Sequence, residues 1–90
     1  MAERRFVLGN KLGLHARAAA KLVQVLSAFP AGATLEANGR TVNAKSIMGV
    51  LLLAAAPGTE VLLRTAGPRA EEALSAAAAL FECNFDEEAR

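Results

Sequence analysis

The residue best suited to group-transfer chemistry is His15, the single histidine of a 90-residue chain without Trp or Tyr. It stands where a glycine-containing loop meets an alanine-rich segment that is predicted to be helical. Arg17 and Lys21 follow it, although cations at a helix start oppose the helix dipole. The usual capping residues Ser, Thr, Asp and Asn are absent from this junction. A bound anion is the compensation that the sequence predicts.

A phosphoryl group is the anion that suits these residue types. The first backbone amides of the helix, those of Ala16 and Arg17, have no intrahelical partner and can bind an anion. The same positive end disfavours imidazolium, so the ring of His15 is expected to stay neutral and nucleophilic at about pH 7. The planar guanidinium of Arg17 fits a phosphate. These features predict transient phosphorylation of His15; an exposed loop histidine without a role is the alternative.

Ser46 is the second candidate, because it precedes the apolar run 47–53 as a good helix N-cap. That run could form a buried strand or a short helix, and the serine favours the helix. Capping alone explains Ser46, although a helix start would also tolerate its phosphorylation. The side chains of Ile47, Met48 and Leu51 could belong to the core or to an exposed patch that binds a partner. The pattern leaves both alternatives open.

The elements that must position these residues are read from hydrophobic periodicity and turn signals. Asn38-Gly39 predicts a type I′ hairpin, and Phe29-Pro30 ends the first helix. The predicted order is strand 3–8, helix 16–28, strand 33–37, strand 40–44, a short helix after Ser46, strand 60–65 and a last helix opened by Gly67-Pro68. This order predicts an α+β fold in which helices cover one face of an antiparallel sheet.

Each long helix has a predicted core face. For the first helix it consists of small and branched apolar residues, namely Ala16, Ala19, Ala20, Val23 and Leu26. For the last helix, Pro68 is predicted at the first position and Glu71-Glu72 in the first turn. Its predicted core stripe is Ala70, Ala73, Leu74, Ala77, Leu80 and Phe81. Cys83 is expected to be half-buried, 84–90 to be a polar, acidic tail, and Asp86-Glu87-Glu88 to be its solvated end.

Bulk composition limits the classes of function. The 90 residues predict one domain over 1–90, and a net charge of +1 gives no reason to expect nucleic-acid binding. One cysteine excludes an internal disulfide and a cysteine-based zinc site. No apolar run is long enough for membrane insertion and no signal-type segment is recognised, so a cytoplasmic protein is expected. There is no metal-ligand set, no cofactor motif and no second acid or base, so we expect no stand-alone enzyme.

Two motifs together resemble those of HPr, the histidine-containing phosphocarrier of the bacterial phosphoenolpyruvate-dependent phosphotransferase system. They are Gly13-Leu14-His15-Ala16-Arg17 and Lys45-Ser46-Ile47-Met48-Gly49-Val50. The resemblance extends over nearly the whole chain, including the Asn38-Gly39 hairpin. It implies an open-faced β-sandwich of order βαββαβα, with a four-stranded antiparallel sheet and helices packed on one face.

The resemblance also implies a role for each matching residue. His15 would take a phosphoryl group on Nδ1 from phosphorylated Enzyme I and pass it to Enzyme IIA domains, while Arg17 steadies the phosphate. The shared partner surface would include Ala20, Ile47, Met48 and Leu51. Ser46 matches the serine that the HPr kinase/phosphorylase modifies in many members, which would weaken Enzyme I binding. A monomer is expected.

Some positions depart from the ordinary HPr pattern. Residue 18 is Ala where the family usually has Pro, and residue 12 is Leu where sugar-branch members often carry a small polar residue. The run 10–13 and the end of the chain look more like the nitrogen-related carrier, NPr. An alternative function is therefore a regulatory binding module, of the nitrogen branch or controlled through Ser46, with little or no role in sugar transport.

Overall fold

The chain folds in the predicted order βαββαβα, and the computed structural model describes residues 1–86. A short 3₁₀ segment, Asn84–Asp86, follows the last helix and is named the C-terminal turn. The strands are β1 (Ala2–Val7), β2 (Gly32–Ala37), β3 (Arg40–Asn43) and β4 (Glu60–Ala66). The helices are α1 (Ala16–Ser27), α2 (Ile47–Leu52) and α3 (Ala70–Glu82).

The four strands form one antiparallel sheet in the order β1-β4-β2-β3. Because side chains alternate along a strand, β4 turns Val61, Leu63 and Thr65 towards the helices, and all three are buried. Phe6 lies opposite Val61 in the register, and Leu35 lies opposite Leu63. The core is therefore the layer between this face and the helices, which confirms the predicted α+β fold.

The opposite face of the sheet carries charged side chains. Arg64 bonds Glu3 at 2.9 Å, and Arg5 bonds Glu60 at 3.3 Å, both between β1 and β4. The hydrogen bond that Arg64 donates to the Glu3 carboxylate raises the pKa of Arg64. These pairs are exposed, and exposed ion pairs contribute little to stability. The face is therefore the open side of the sandwich.

The Asn38-Gly39 turn joins β2 to β3 as predicted. Both residues have positive φ, 53° for Asn38 and 77° for Gly39, which is the requirement of a type I′ turn. The Asn38 side chain also donates to the carbonyl of Leu53 at 3.0 Å. The hairpin is thus fastened to the end of α2.

The predicted core face of α1 is wrong in part. Ala19 and Leu26 are buried, but Ala16 and Ala20 are exposed and Val23 is only partly buried. The buried side chains are Ala18, Ala19, Leu22 and Leu26. A row of alanines has little contrast in hydrophobicity, so the large side chains decide which way the helix turns. Leu22, absent from the predicted face, sets it together with Leu26.

The start of α3 also differs from the prediction. The helix begins at Ala70, so Pro68 precedes it instead of occupying its first position. Arg69 is the N-cap, with φ 61° and without a side-chain cap bond. Its guanidinium instead bonds Glu72 at 3.0 and 3.2 Å, which lowers the pKa of that carboxyl. Glu72 lies in the first turn, as predicted.

The core stripe of α3 and the end of the chain need correction too. Ala70, Ala73, Ala77 and Phe81 are buried as predicted, with Ala78 in addition, whereas Leu74 and Leu80 are partly buried. Cys83 is exposed rather than half-buried.

The predicted polar, acidic tail contains a core residue. Phe85 is 1% exposed and meets Phe81 edge to face at 4.9 Å between ring centroids. Phe81 in turn stacks on Phe6 at 4.2 Å. Asp86 is exposed, and the acidic residues Glu87 and Glu88 lie outside the described residues. Among residues 1–86, no helix has the length and apolarity needed to cross a membrane.

Candidate phosphate-acceptor site

His15 is the N-cap of α1. Its backbone is extended (φ −87°, ψ −177°), and its carbonyl accepts the first helical bond, from the amide of Ala19 at 2.9 Å. Its Nδ1 accepts the amide N–H of Arg17 at 3.3 Å. The sequence predicted a helix start without a capping side chain, and the structure corrects this, because His15 itself is the cap. An accepting Nδ1 carries its lone pair and no proton.

The segment 9–15, named the acceptor loop, is held from inside the fold. The Asn10 side chain is fully buried and donates to the carbonyl of Gly13 at 2.7 Å. The amide of Leu14 donates to the carbonyl of Ala55 at 3.0 Å. Gly13 has φ 66°, and a Cβ placed on it would lie 2.5 Å from that same oxygen. Glycine is required here by both the backbone conformation and the close approach.

This geometry suits an anion bonded to Nδ1. The lone pair of His15 lies at the start of α1, where the first backbone amides and the helix dipole favour negative charge. Arg17 is the second residue of the helix and is exposed, and Ala16 before it is exposed as well. Neither first-turn residue is covered by the core. The arrangement can therefore receive a group from a partner protein without opening the fold.

Ser46 is the N-cap of α2, so the helix alternative for the run 47–53 is the one found. Its Oγ accepts the amide N–H of Gly49 at 3.1 Å, and the residue is partly buried. A Cβ at Gly49 would lie 3.1 Å from the backbone oxygen of Asn43. The glycine thus allows the first turn of α2 to sit closely against the end of β3.

The apolar residues of α2 divide between core and surface. Val50 and the following Leu53 are buried, and Leu51 is partly buried and packs on the core. Met48 is 68% exposed and Ile47 is 42% exposed. The sequence left open whether these residues belong to the core or to an exposed patch. In the structure Leu51 packs on the core, and Ile47 and Met48 are exposed.

The exposed apolar set is larger than predicted. Leu12 in the acceptor loop is 65% exposed, and Leu52 at the end of α2 is 59% exposed. Helix α2 packs against α1, on which Ala20 is exposed. The predicted surface left out Leu12 and Leu52. An apolar residue in a loop or at the end of an all-apolar run carries no sequence signal of its orientation.

Comparison with known proteins decides the family. The family model described as "PTS HPr component phosphorylation site" matches residues 2–83. This chain belongs to the HPr family. An HPr-family phosphocarrier is a carrier of the phosphotransferase system rather than a catalyst, in agreement with the expectation that this chain is no stand-alone enzyme.

Individual HPr-family members match over nearly the full length. The phosphocarrier protein HPr of Xylella fastidiosa is 52% identical over 98% of this chain and 99% of its own. The phosphocarrier protein NPr of Escherichia coli is 41% identical over 88% of this chain and 89% of its own. The crystal structure of HPr-C-His from Thermoanaerobacter tengcongensis superposes with a TM-score of 0.93 at 43% identity, covering 98% of this chain and 99% of that one. Relatives of both HPr and NPr type are therefore similar to this chain.

The HPr fold of this chain offers little to a metal ion. Among residues 1–86, no group of three or more His, Cys, Asp or Glu side chains is arranged to hold one. The candidate acceptor is the imidazole of His15 at the start of α1.

Proposed function

We propose that this chain accepts a phosphoryl group on Nδ1 of His15 from phosphorylated Enzyme I and passes it to Enzyme IIA domains. The observation that carries the proposal is the hydrogen bond from the Arg17 amide to His15 Nδ1, which fixes the lone pair of that nitrogen at the start of α1. Family membership supports the class of reaction. The carrier would act as one domain over residues 1–90, as a monomer, in the cytoplasm.

The transfer needs little chemistry from the carrier. The Nδ1 lone pair forms a bond to phosphorus while the bond from phosphorus to the donor atom breaks, and the electron pair of that bond leaves with the donor. Nδ1 has no proton to lose, because it accepts a hydrogen bond in the resting protein. The phosphate oxygens would then accept hydrogen bonds from the amides of Ala16 and Arg17, and the Arg17 guanidinium would balance the negative charge of the phosphate. Catalysis here is positioning and charge neutralisation.

The proposed docking surface lies around the exposed apolar residues of α2. Met48 offers adaptable apolar contacts, and Ile47 adds exposed apolar area. Ala20 of α1 is also exposed, and Leu51 is partly buried against the core. Several exposed apolar side chains on one short helix are typical of a protein–protein contact. Enzyme I and Enzyme IIA would use this same surface in turn.

Ser46 is proposed as a regulatory site modified by an HPr kinase/phosphorylase. Its oxygen caps α2, and a phosphate on it would remain at a helix start, where negative charge is tolerated. It immediately precedes Ile47 and Met48. A dianionic group at that place would have to be desolvated when Enzyme I docks, so binding would weaken.

The alternative function is a regulatory binding module of the nitrogen branch or under Ser46 control. The 41% identity to NPr of E. coli and the NPr-like run 10–13 favour it. Labelling with ATP and a cognate HPr kinase tests the Ser46-controlled form, and transfer to Enzyme IIA components of the two branches tests the nitrogen-branch form. Labelled Ser46 supports control by a kinase, and an unlabelled chain excludes the Ser46-controlled form.

The test of the main proposal is incubation with phosphoenolpyruvate and Enzyme I. One acid-labile phosphoryl group is expected on the wild-type chain and none on His15→Ala. A labelled His15→Ala chain would refute the assignment. Transfer onward to Enzyme IIA components of the sugar and nitrogen branches, compared in parallel, identifies the acceptor.

A further inference from the structure

The C-terminal turn holds an unfavourable backbone. Asn84, Phe85 and Asp86 have φ values of 55°, 56° and 59°, although none of them is glycine. Residues other than glycine adopt this left-handed conformation at a cost, and three in succession are uncommon. Such a turn persists only where its contacts compensate for it. Those contacts lead to both ends of the acceptor loop.

The first contact anchors the turn in the core. Phe85 is 1% exposed and packs edge to face on Phe81 at 4.9 Å. Phe81 stacks on Phe6 of β1 at 4.2 Å, and β1 leads directly into the acceptor loop. The aromatic chain therefore fixes the turn relative to the strand that precedes the loop.

The second contact reaches the helix that follows the loop. Lys21 of α1 donates from Nζ to the carbonyl of Phe85 at 2.7 Å, and it lies 3.8 Å from a carboxylate oxygen of Asp86. Lys21 is one turn beyond Arg17 on the same helix. A charged donor on a backbone carbonyl makes one of the stronger hydrogen bonds in a protein. The turn is thus fastened to α1 close to the acceptor.

The third contact reaches the first residue of the loop. The side-chain oxygen of Asn84 lies only 2.6 Å from the position that a Cβ on Gly9 would take. Gly9 precedes Asn10, whose buried amide closes the loop onto Gly13. The C-terminal turn therefore contacts the first residue of the acceptor loop and, through Lys21, the helix that follows the loop.

We propose that the C-terminal turn is a clamp across the two ends of the acceptor loop, and that Lys21 and Phe85 are positioning residues for His15. Neither residue touches the transferred group. Loss of the clamp lets α1 and the loop move relative to each other, so Nδ1 is less often at the productive position. The part of this inference that concerns transfer rates rests on the proposed function; the part that concerns loop order does not.

Amide hydrogen exchange tests the clamp without any phosphoryl donor. The Leu14 amide, bonded to Ala55, reports on the acceptor loop, and the Leu63 amide in the middle of the sheet reports on global unfolding. Lys21→Met should lower the protection of Leu14 relative to that of Leu63 by about tenfold. Phe85→Ala should act in the same direction, and Phe85→Leu should restore much of the ratio by refilling the space.

Lys45→Met is the matched control. Lys45 also donates from Nζ to a backbone carbonyl at 2.7 Å, that of Phe29, just beyond the other end of α1. The Lys45→Met substitution therefore removes the same charge and the same kind of hydrogen bond at a place outside the clamp. A ratio that falls further in Lys21→Met than in Lys45→Met supports the clamp. A ratio that falls no further in Lys21→Met than in the control overturns it, whether or not Phe85→Ala folds.

Transfer kinetics add the functional part of the test. At saturating phosphorylated Enzyme I, Lys21→Met should transfer about tenfold more slowly, since small displacements of a reacting group have effects of this order. An unchanged rate at saturation, with only a weaker affinity, would contradict a positioning role. If the wild-type chain is not phosphorylated at all, the proposed function fails while the exchange ratio still decides the clamp.

Discussion

The backbone amide of Arg17 donates to Nδ1 of His15 at 3.3 Å, so the proposed nucleophile is also the N-cap of the helix behind it. The lone pair that caps the helix in the resting protein is the one that would bond to phosphorus. Phosphorylation would then remove this long capping bond, and the Arg17 amide could donate to a phosphate oxygen instead. Capping and acceptance thus depend on one atom, and substitutions can separate them.

Replacement of His15 by Asn should remove acceptance while keeping the cap. Asn is among the best N-cap residues, whereas His15→Ala should lose about 1 kcal/mol of stability with the cap. Urea unfolding measures the stability and phosphoenolpyruvate-dependent labelling measures acceptance. We expect both variants to be unlabelled, with His15→Asn the more stable of the two. A His15→Ala chain as stable as the wild type would show that the Nδ1 bond contributes nothing to the helix.

Gly13→Ala should disturb the acceptor loop specifically. The added Cβ would lie 2.5 Å from the backbone oxygen of Ala55, and Gly13 itself has a φ of 66° that alanine adopts only at a cost. Gly39→Ala is the matched control, because Gly39 has φ 77° and nothing within 4 Å of the added atom. The control should cost about 1–2 kcal/mol from conformation alone, and Gly13→Ala more. Only Gly13→Ala should slow phosphorylation of His15; equal slowing in both would disprove a local effect.

Ser46→Asp should weaken Enzyme I binding without unfolding α2. Aspartate keeps an N-cap oxygen and adds charge beside Ile47, whereas Ser46→Ala should cost about 1 kcal/mol. Calorimetric titration with Enzyme I measures the affinity. Ser75→Asp places the same charge on an exposed position of α3 and should leave the affinity unchanged. Equal weakening by both aspartates would reflect net charge rather than position.

Met48→Ala should reduce partner affinity at almost no cost in stability. Its side chain is 68% exposed, so truncation leaves no cavity, yet removes apolar area from the proposed docking surface. Val7→Ala is a suitable comparison, since Val7 is 59% exposed on β1 and outside that surface. Binding to Enzyme I should weaken by about 1 kcal/mol or more for Met48→Ala only. Equal affinities of the two variants would place the docking surface elsewhere.

The topology could be predicted because its signals are local. The Asn38-Gly39 turn needs two positive φ values, and short apolar runs closed by turn residues mark the strands. The faces of α1 could not be predicted equally well. Its alanines are nearly equivalent in hydrophobicity, so their exposure depends on where Leu22 and Leu26 find space in the core.

The sequence predicts that His15 and Arg17 lie at a helix start, and the structure places them there. It does not predict that His15 caps the helix, because histidine is not among the usual capping residues. Phe85 lies in a stretch that the sequence predicts as a polar, acidic tail, because acidic residues follow it. Its burial depends on Phe6 and Phe81, which are distant along the chain and carry no local signal.

The most direct test of the proposed function is the identity of the phosphorylated atom. After incubation with phosphoenolpyruvate and Enzyme I, nitrogen-15 and phosphorus-31 NMR of the labelled chain should show a single phosphoryl group on Nδ1 of His15. The Arg17 amide signal should shift at the same time, because its present acceptor becomes bonded to phosphorus. A phosphoryl group on Nε2, on another residue, or on the His15→Asn chain would contradict the account.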